Sequence, residues 1–165
     1  MHDQLTESDI KKIQEEIEYR KLVVRKEAIE AVKEARAHGD LSENFEYYAA
    51  KKDKNKNESR IRYLEKMVKT AQIISEESSE NEVGINKIIT LYMEEDDETE
   101  EFKLVTTIRG NSIQGRISID SPLGKAILGK KLEERVFVKV NEQYGYYVII
   151  KNIQNDSCDD QIRGF

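Results

Sequence analysis

The chain has 165 residues, 36% of them charged and 38% hydrophobic, with no Trp, one Pro and one Cys. That length allows one medium domain or two small ones, and the periodic placement of the apolar residues excludes a disordered chain. The net charge of −6 disfavours generic binding to duplex nucleic acid, and it hides an asymmetry: the first 75 residues carry 16 Lys and Arg against 15 Asp and Glu, the remainder 11 against 18.

The apolar runs are too short for a membrane span, and the N-terminus lacks signal-peptide character, so a cytoplasmic protein is expected. Cys158 has no internal partner for a disulfide, which suits a reducing compartment; it reads as an incidental thiol.

Helical periodicity starts near Ser8. Ile10, Ile13, Ile17, Val24, Ala28, Ala31 and Ala35 recur at spacings of three, four and seven, with Gly39 placed to end the helix. Some thirty residues at 1.5 Å each give a rod roughly 45 Å long, which needs a partner helix to be stable. The partner follows: Tyr47, Ala50, Lys54, Asn57, Ile61, Leu64, Val68 and Ala71 predict an antiparallel hairpin over residues 1–75, apolar at its base and partly polar towards a tip at 39–44.

Residues 74–84, ISEESSENEVG, read as a linker, placed most narrowly at 76–83. Beyond it the period becomes two. Residues 85–92 and 102–108 predict strands around the acidic turn EEDDETEE, best read as solvated. Ser121 as N-cap, Pro122 at the first helical position and Gly129 just past the end predict a short helix. Residues 135–140 and 144–153 predict a second hairpin of strands, and 155–165 a polar tail. The fold class is α+β: a helical hairpin followed, over 84–154, by a small, mainly antiparallel β domain with one short helix.

His2 and His38 are too few for a metal cluster, and no zinc, nucleotide-loop or nucleophile-elbow motif is present. The tip, HGDLSENFEYYAA, holds what chemistry remains. Asp40 and Glu43 are spaced as a capping box for the second helix, and this spacing alone favours a cap; Ser42 and Asn44 are alternative caps. The competing reading is a weak Mg²⁺ site. That ion takes one or two protein carboxylates and draws its other ligands elsewhere, so another molecule would have to complete it. Arg36 and the run Lys51, Lys52, Lys54, Lys56, Arg60 and Arg62 surround the acids with positive charge, and Phe45, Tyr47 and Tyr48 offer rings for base stacking.

GDLSENFEYYAAK, RIRYLEKMVKTAQII and SPLGKAILGKKLEERVFVKV, in this order from about residue 8 to 154, closely resemble the bacterial GreA/GreB transcript cleavage factors. The resemblance implies a coiled-coil hairpin and an FKBP-like C-terminal domain that docks on RNA polymerase, here with Ser121, Pro122, Leu123 and Gly124 as docking candidates. It implies that the hairpin enters the polymerase secondary channel. There the protein, not itself an enzyme, would stimulate the polymerase to cleave the backtracked 3′ end of the nascent RNA. Asp40 matches the metal-binding Asp and Glu43 the Glu that positions or activates the attacking water. Mg²⁺ would be shared with polymerase rather than held tightly by the isolated protein.

Arg36, Phe45, Lys51 and Lys52 become candidates for contact with RNA and the nucleic acid of the elongation complex, with Gly39, Ser42 and Asn44 setting tip geometry. A monomer is expected, since the hairpin pairs internally. Two features depart from the family pattern: RGNSIQGRIS (109–118) stands where an acidic segment is common, and Phe45 where a small residue is usual. They leave a second reading, a diverged channel-binding regulator that does not stimulate cleavage. A proline isomerase and a purely structural adaptor are the remaining classes, the former disfavoured by the scarcity of Phe and lack of Trp.

Overall fold

The computed structural model describes residues 3–39 and 44–164. It divides into two units: one formed mainly by Ser8–Gln72, the other by Gln4–Glu7 and Ile73–Gly164.

In the first unit, α1 (Glu7–Tyr19) continues through a π-turn (Arg20–Val24) into α2 (Arg25–Ala37), and α3 (Phe45–Thr70) returns antiparallel to them. The apolar spacing works as expected at the base: Ile13, Ile61 and Leu64 are fully buried, joined by Met67. Burying one such aliphatic side chain stabilises the fold by about 1.5–3 kcal/mol. Higher up, the seam is carried by smaller and polar groups, with Ala35 and Asn57 buried. Ala31, expected on the seam, is exposed.

The π-turn is the reason the first helix drifts from a single 3.6-residue face. The Arg25 N–H donates to the Arg20 carbonyl, five residues back, and Asn57 Nδ2 donates to the same oxygen across the hairpin at 3.3 Å. A side chain entering the helical ladder in this way is a known cause of such an irregularity. Leu22, within the turn, is 64% exposed.

A charged layer sits beside it. Arg60, expected among the surface cations, is buried: its Nε donates to Glu16 Oε2 at 2.9 Å, and Arg20 Nε reaches the same oxygen at 2.7 Å. Arg20 Nη1 also donates to Asn57 Oδ1 at 3.1 Å. Further out, Arg25 holds Glu58 in a two-pronged pair at 2.7 and 2.8 Å.

Short strands flank the hairpin in sequence. These are β1 (Gln4–Leu5), whose Leu5 carbonyl accepts from Ile74 N–H, and β2 (Gln72–Ile73), whose Gln72 N–H donates to Asp3. The second unit is built on a five-stranded sheet of order β5-β4-β3-β7-β6. β3 (Lys87–Met93) and β4 (Glu98–Val105) form the first predicted hairpin, β6 (Arg135–Lys139) and β7 (Gly145–Asn155) the second; β3 and β7 pair antiparallel at the centre. Alternation explains the sidedness: in RVFVK, Val136 and Val138 point into the core while Arg135, Phe137 and Lys139 face out. Ile89, Leu91, Leu104, Val148 and Ile150 complete that core with Ile127 from α4 (Pro122–Ile127).

The sequence pattern missed β5 (Arg116–Ser118), which runs parallel to β4 after two 3₁₀ turns, Thr107–Arg109 and Ser112–Gln114. It is too short to show periodicity.

The stretch read as a linker is part of the second unit. Val83 is buried and exchanges backbone hydrogen bonds with Lys130 and Gly129, while the Lys87 ammonium donates to the carbonyls of Ser79 and Glu82 at 2.6 and 2.9 Å. Among the described residues, no helix is long and apolar enough to cross a membrane.

Candidate functional site at the hairpin tip

α2 closes at Ala37, His38 N–H donates back to the Ala35 carbonyl, and Gly39 leaves the helix with φ +144°, a backbone state that suits glycine. The second helix starts at Phe45, and its N-cap is Asn44. Asn44 Oδ1 accepts from Tyr47 N–H at 3.0 Å while its Nδ2 donates to the Ala35 carbonyl at 2.6 Å. One side chain thus satisfies an orphan donor of α3 and gives the Ala35 carbonyl of α2 a second donor beside His38 N–H, tying both helix ends together.

This corrects the capping-box expectation. With Asn44 as N-cap, the third helical position is Tyr47, so neither Asp40 nor Glu43 occupies a position of that motif. Asp40, Leu41, Ser42 and Glu43 themselves lie outside the described residues. Among the described residues, no group of three or more His, Cys, Asp or Glu could hold a metal ion.

Phe45 is 86% exposed, with no core to join. Tyr47 is half-buried; the Arg36 guanidinium lies 5.5 Å from its ring centroid and, by hydrogen bonding, holds the phenol below its ordinary pKa. Lys51, Lys52 and Lys56 are exposed on the turns that follow, and Lys54 is half-buried. Arg60 drops out of this collar because it is committed to Glu16. The tip is therefore a bare aromatic beside a cationic rim, with two carboxylates between them in sequence.

Sequence reasoning missed a further contact there: His38 Nδ1 lies 2.8 Å from Glu46 Oε2. The hydrogen bond that His38 donates to Glu46, and then the charge of Glu46, raise His38 above its ordinary 6.5. Since the folded value is the higher one, the contact's contribution is complete below pH 6.5 and is lost as pH rises through the raised folded value. Replacing Glu46 by Gln is expected to return the His38 titration, followed by NMR, towards 6.5; an unmoved midpoint would mean that the pair does not form in solution.

The docking candidates fall on α4. Ser121 Oγ accepts from Gly124 N–H at 3.0 Å and donates to the Ser118 carbonyl at 2.6 Å, the expected cap. Gly124 is buried, and a Cβ there would stand 2.0 Å from the Ser118 carbonyl, so packing accounts for this glycine. Pro122 is exposed and Leu123 half-buried.

Comparison with known proteins agrees across both units. The family model described as transcription elongation factor, N-terminal, matches residues 3–73, and that described as transcription elongation factor, GreA/GreB, C-term, matches 77–155. Transcription elongation factor GreA of Bacillus subtilis is 40% identical over 135 residues, 82% of this chain and 86% of that protein. Its counterpart in Caldanaerobacter subterraneus is 43% identical over 137 residues, 82% and 87% of the two chains. Among solved structures, GreA factor homolog 1 of Thermus thermophilus aligns over 94% of this chain and 100% of its own, at 23% identity and a TM-score of 0.43. With both of its units matched and its relatives aligned over most of their length, the chain belongs to the GreA/GreB family of transcription elongation factors.

Proposed function

We propose that this protein acts in the cytoplasm, as a monomer, on bacterial RNA polymerase that has backtracked: the hairpin tip enters the secondary channel and stimulates the polymerase to cleave its own transcript. The observation that carries this reading is the Asn44 cap. Because Asn44 is the N-cap of α3 and accepts from Tyr47 N–H, Asp40 and Glu43 fall outside the capping-box positions, which leaves two acids three residues apart, flanked in sequence by Arg36, Lys51 and Lys52, to be explained by function.

Two carboxylates suit Mg²⁺, which accepts a small protein donor set when phosphate and water supply the rest. Asp40 and Glu43 would hold that ion jointly with polymerase. Bound there, it would offset charge developing on the phosphodiester and lower the pKa of a coordinated water. Glu43 would orient the attacking water or accept its proton. Arg36, Lys51 and Lys52 attract the RNA backbone, and Phe45 offers its ring to an unstacked base near the 3′ end. Asn44 positions the acids by fixing both helix ends next to them. The exposed edge of α4 at Pro122 and Leu123 is the reading's docking surface for polymerase.

The direct test adds the protein to stalled, backtracked bacterial polymerase carrying 3′-labelled RNA. Rapid release of short 3′ fragments is expected. Binding that leaves the RNA intact would overturn cleavage stimulation in favour of simple channel occupancy.

A further inference from the structure

The chain does not leave the second unit where β7 ends. Residues 156–164, expected to be a polar tail, run back over β4, the Thr107–Arg109 turn and β5 without regular secondary structure. Lys103 Nζ donates to an Asp160 carboxylate oxygen and to the Cys158 carbonyl at 3.1 Å, and pairs with Asp156 at 3.0 Å. Arg109 Nη1 donates to Asp159 Oδ1 at 2.8 Å and to the Asp160 carbonyl at 2.7 Å. Arg116 stands 3.7 Å from the Asp160 carboxylate. Finally, Arg163 N–H donates to the Ile108 carbonyl at 2.6 Å.

The cationic side belongs to the folded sheet and its turns. With residues 156–164 in place the side chains of Lys103 and Arg109 are only 8% and 5% exposed, so whatever covers this groove must carry negative charge to offset theirs. The occupant is held mainly by charge: Ile162 is the one large apolar side chain of 156–164, and it is only half-buried. Nor does it fill the space. A cavity of about 290 Å³ remains beside it, lined by Ile88, Phe102, Lys103, Gln114, Arg116 and Asp156 among others. The Ile108 carbonyl asks for an N–H donor at the end of the groove, which a peptide backbone supplies and a sugar–phosphate backbone does not.

We propose that the groove of Lys103, Arg109 and Arg116 is a binding site for an extended acidic segment of a partner protein, and that residues 156–164 are a resident occupant which that segment must displace. The site involves no residue of the hairpin, so it stands apart from the cleavage reading. The tethered tail competes at a high effective concentration, so an outside peptide binds the intact protein poorly.

The test uses the full chain with Asp156→Asn, Asp159→Asn and Asp160→Asn together, and a labelled peptide of residues 155–164 as probe. The triple variant should bind the peptide at least about tenfold more tightly than the unaltered protein does, and more weakly as salt is raised. Equal binding by the two proteins, no binding by a folded triple variant, or capture of an RNA oligonucleotide in preference to the peptide would each overturn the proposal. A second measurement needs no variant. Hydrogen exchange of the unaltered protein should show the Arg163 amide losing protection at high salt while β3 amides keep theirs. An Arg163 amide as slow as those of β3 in both conditions would make the tail a fixed part of the domain and sink the idea.

Discussion

Replacing Asp40 by Asn is expected to reduce stimulated transcript cleavage by about a hundredfold or more, the scale associated with losing a group that acts on the reacting atoms, while the unfolding midpoint moves by no more than about 1 °C. Asn is as good a helix cap as Asp, so the substitution separates the two roles that Asp40 could play. The cap of α3 is Asn44, and this sharpens the experiment into a pair. Asn44→Ala removes the bond to Tyr47 N–H and the bond to the Ala35 carbonyl, and should cost about 1–2 kcal/mol of hairpin stability. The first variant should be folded and inactive, the second destabilised at the tip. If Asp40→Asn melts as Asn44→Ala does, Asp40 supports the fold; if it cleaves normally, the carboxylate is not a ligand. Glu43→Gln should follow Asp40→Asn, with a pH–rate profile that loses its acidic limb if Glu43 accepts the water's proton.

How much of this was legible beforehand depended on whether the signal was local. Ile13, Ile61 and Leu64 lie in periodic runs, so the hairpin and its buried base followed from spacing. RVFVK alternates, and Ser121, Pro122 and Gly129 punctuate a helix, so β6 and α4 were equally plain. Asn44 could be weighed as a cap but not chosen, because Asp40, Ser42 and Asn44 all have side chains suited to that role. Its bond to the Ala35 carbonyl, nine residues away, is what decides, and no local pattern announces that bond. Arg60 looked like a member of a basic run because the residue that neutralises it, Glu16, is 44 residues distant. Lys103, Arg109 and Arg116 likewise find their carboxylates some 44 to 57 residues on, in a segment whose composition alone reads as solvated. The π-turn is a one-residue irregularity inside a good helical pattern, too small to see without the Asn57 amide that enters it. Asp40 and Glu43 stand out by spacing as a cap or a weak Mg²⁺ pair, take their separate roles only from the resemblance, and lie outside the described residues.

Glu16→Ala is expected to be the most destabilising single change in the polar layer of the hairpin, by about 2–4 kcal/mol. The Arg60 side chain is 3% exposed and the Glu16 side chain 22%, so removing the carboxylate takes two hydrogen bonds and a negative charge from a desolvated guanidinium. Glu58→Ala is the matched control. Its partner Arg25 forms an equally short pair, but the two side chains are 35% and 26% exposed, and water can replace what is lost; a cost of about 1 kcal/mol or less is expected. The pH dependence gives a second readout. Burial pushes the Glu16 carboxyl upward, but hydrogen bonds and charge from Arg60 and Arg20 outweigh it and hold the group below its ordinary 4.5. With the folded value the lower one, the contribution is complete above pH 4.5 and disappears as pH falls through the folded value. Unfolding measured from pH 7 to pH 3 should therefore show less loss of stability on acidification in Glu16→Ala than in the unaltered protein. Replacing Glu16 and Arg60 together by Leu should recover much of the cost, because a buried ion pair seldom outperforms well-packed apolar groups. Should Glu16→Ala cost no more than Glu58→Ala, the layer is hydrated in solution and Arg60 returns to the basic rim from which the folded hairpin withdraws it.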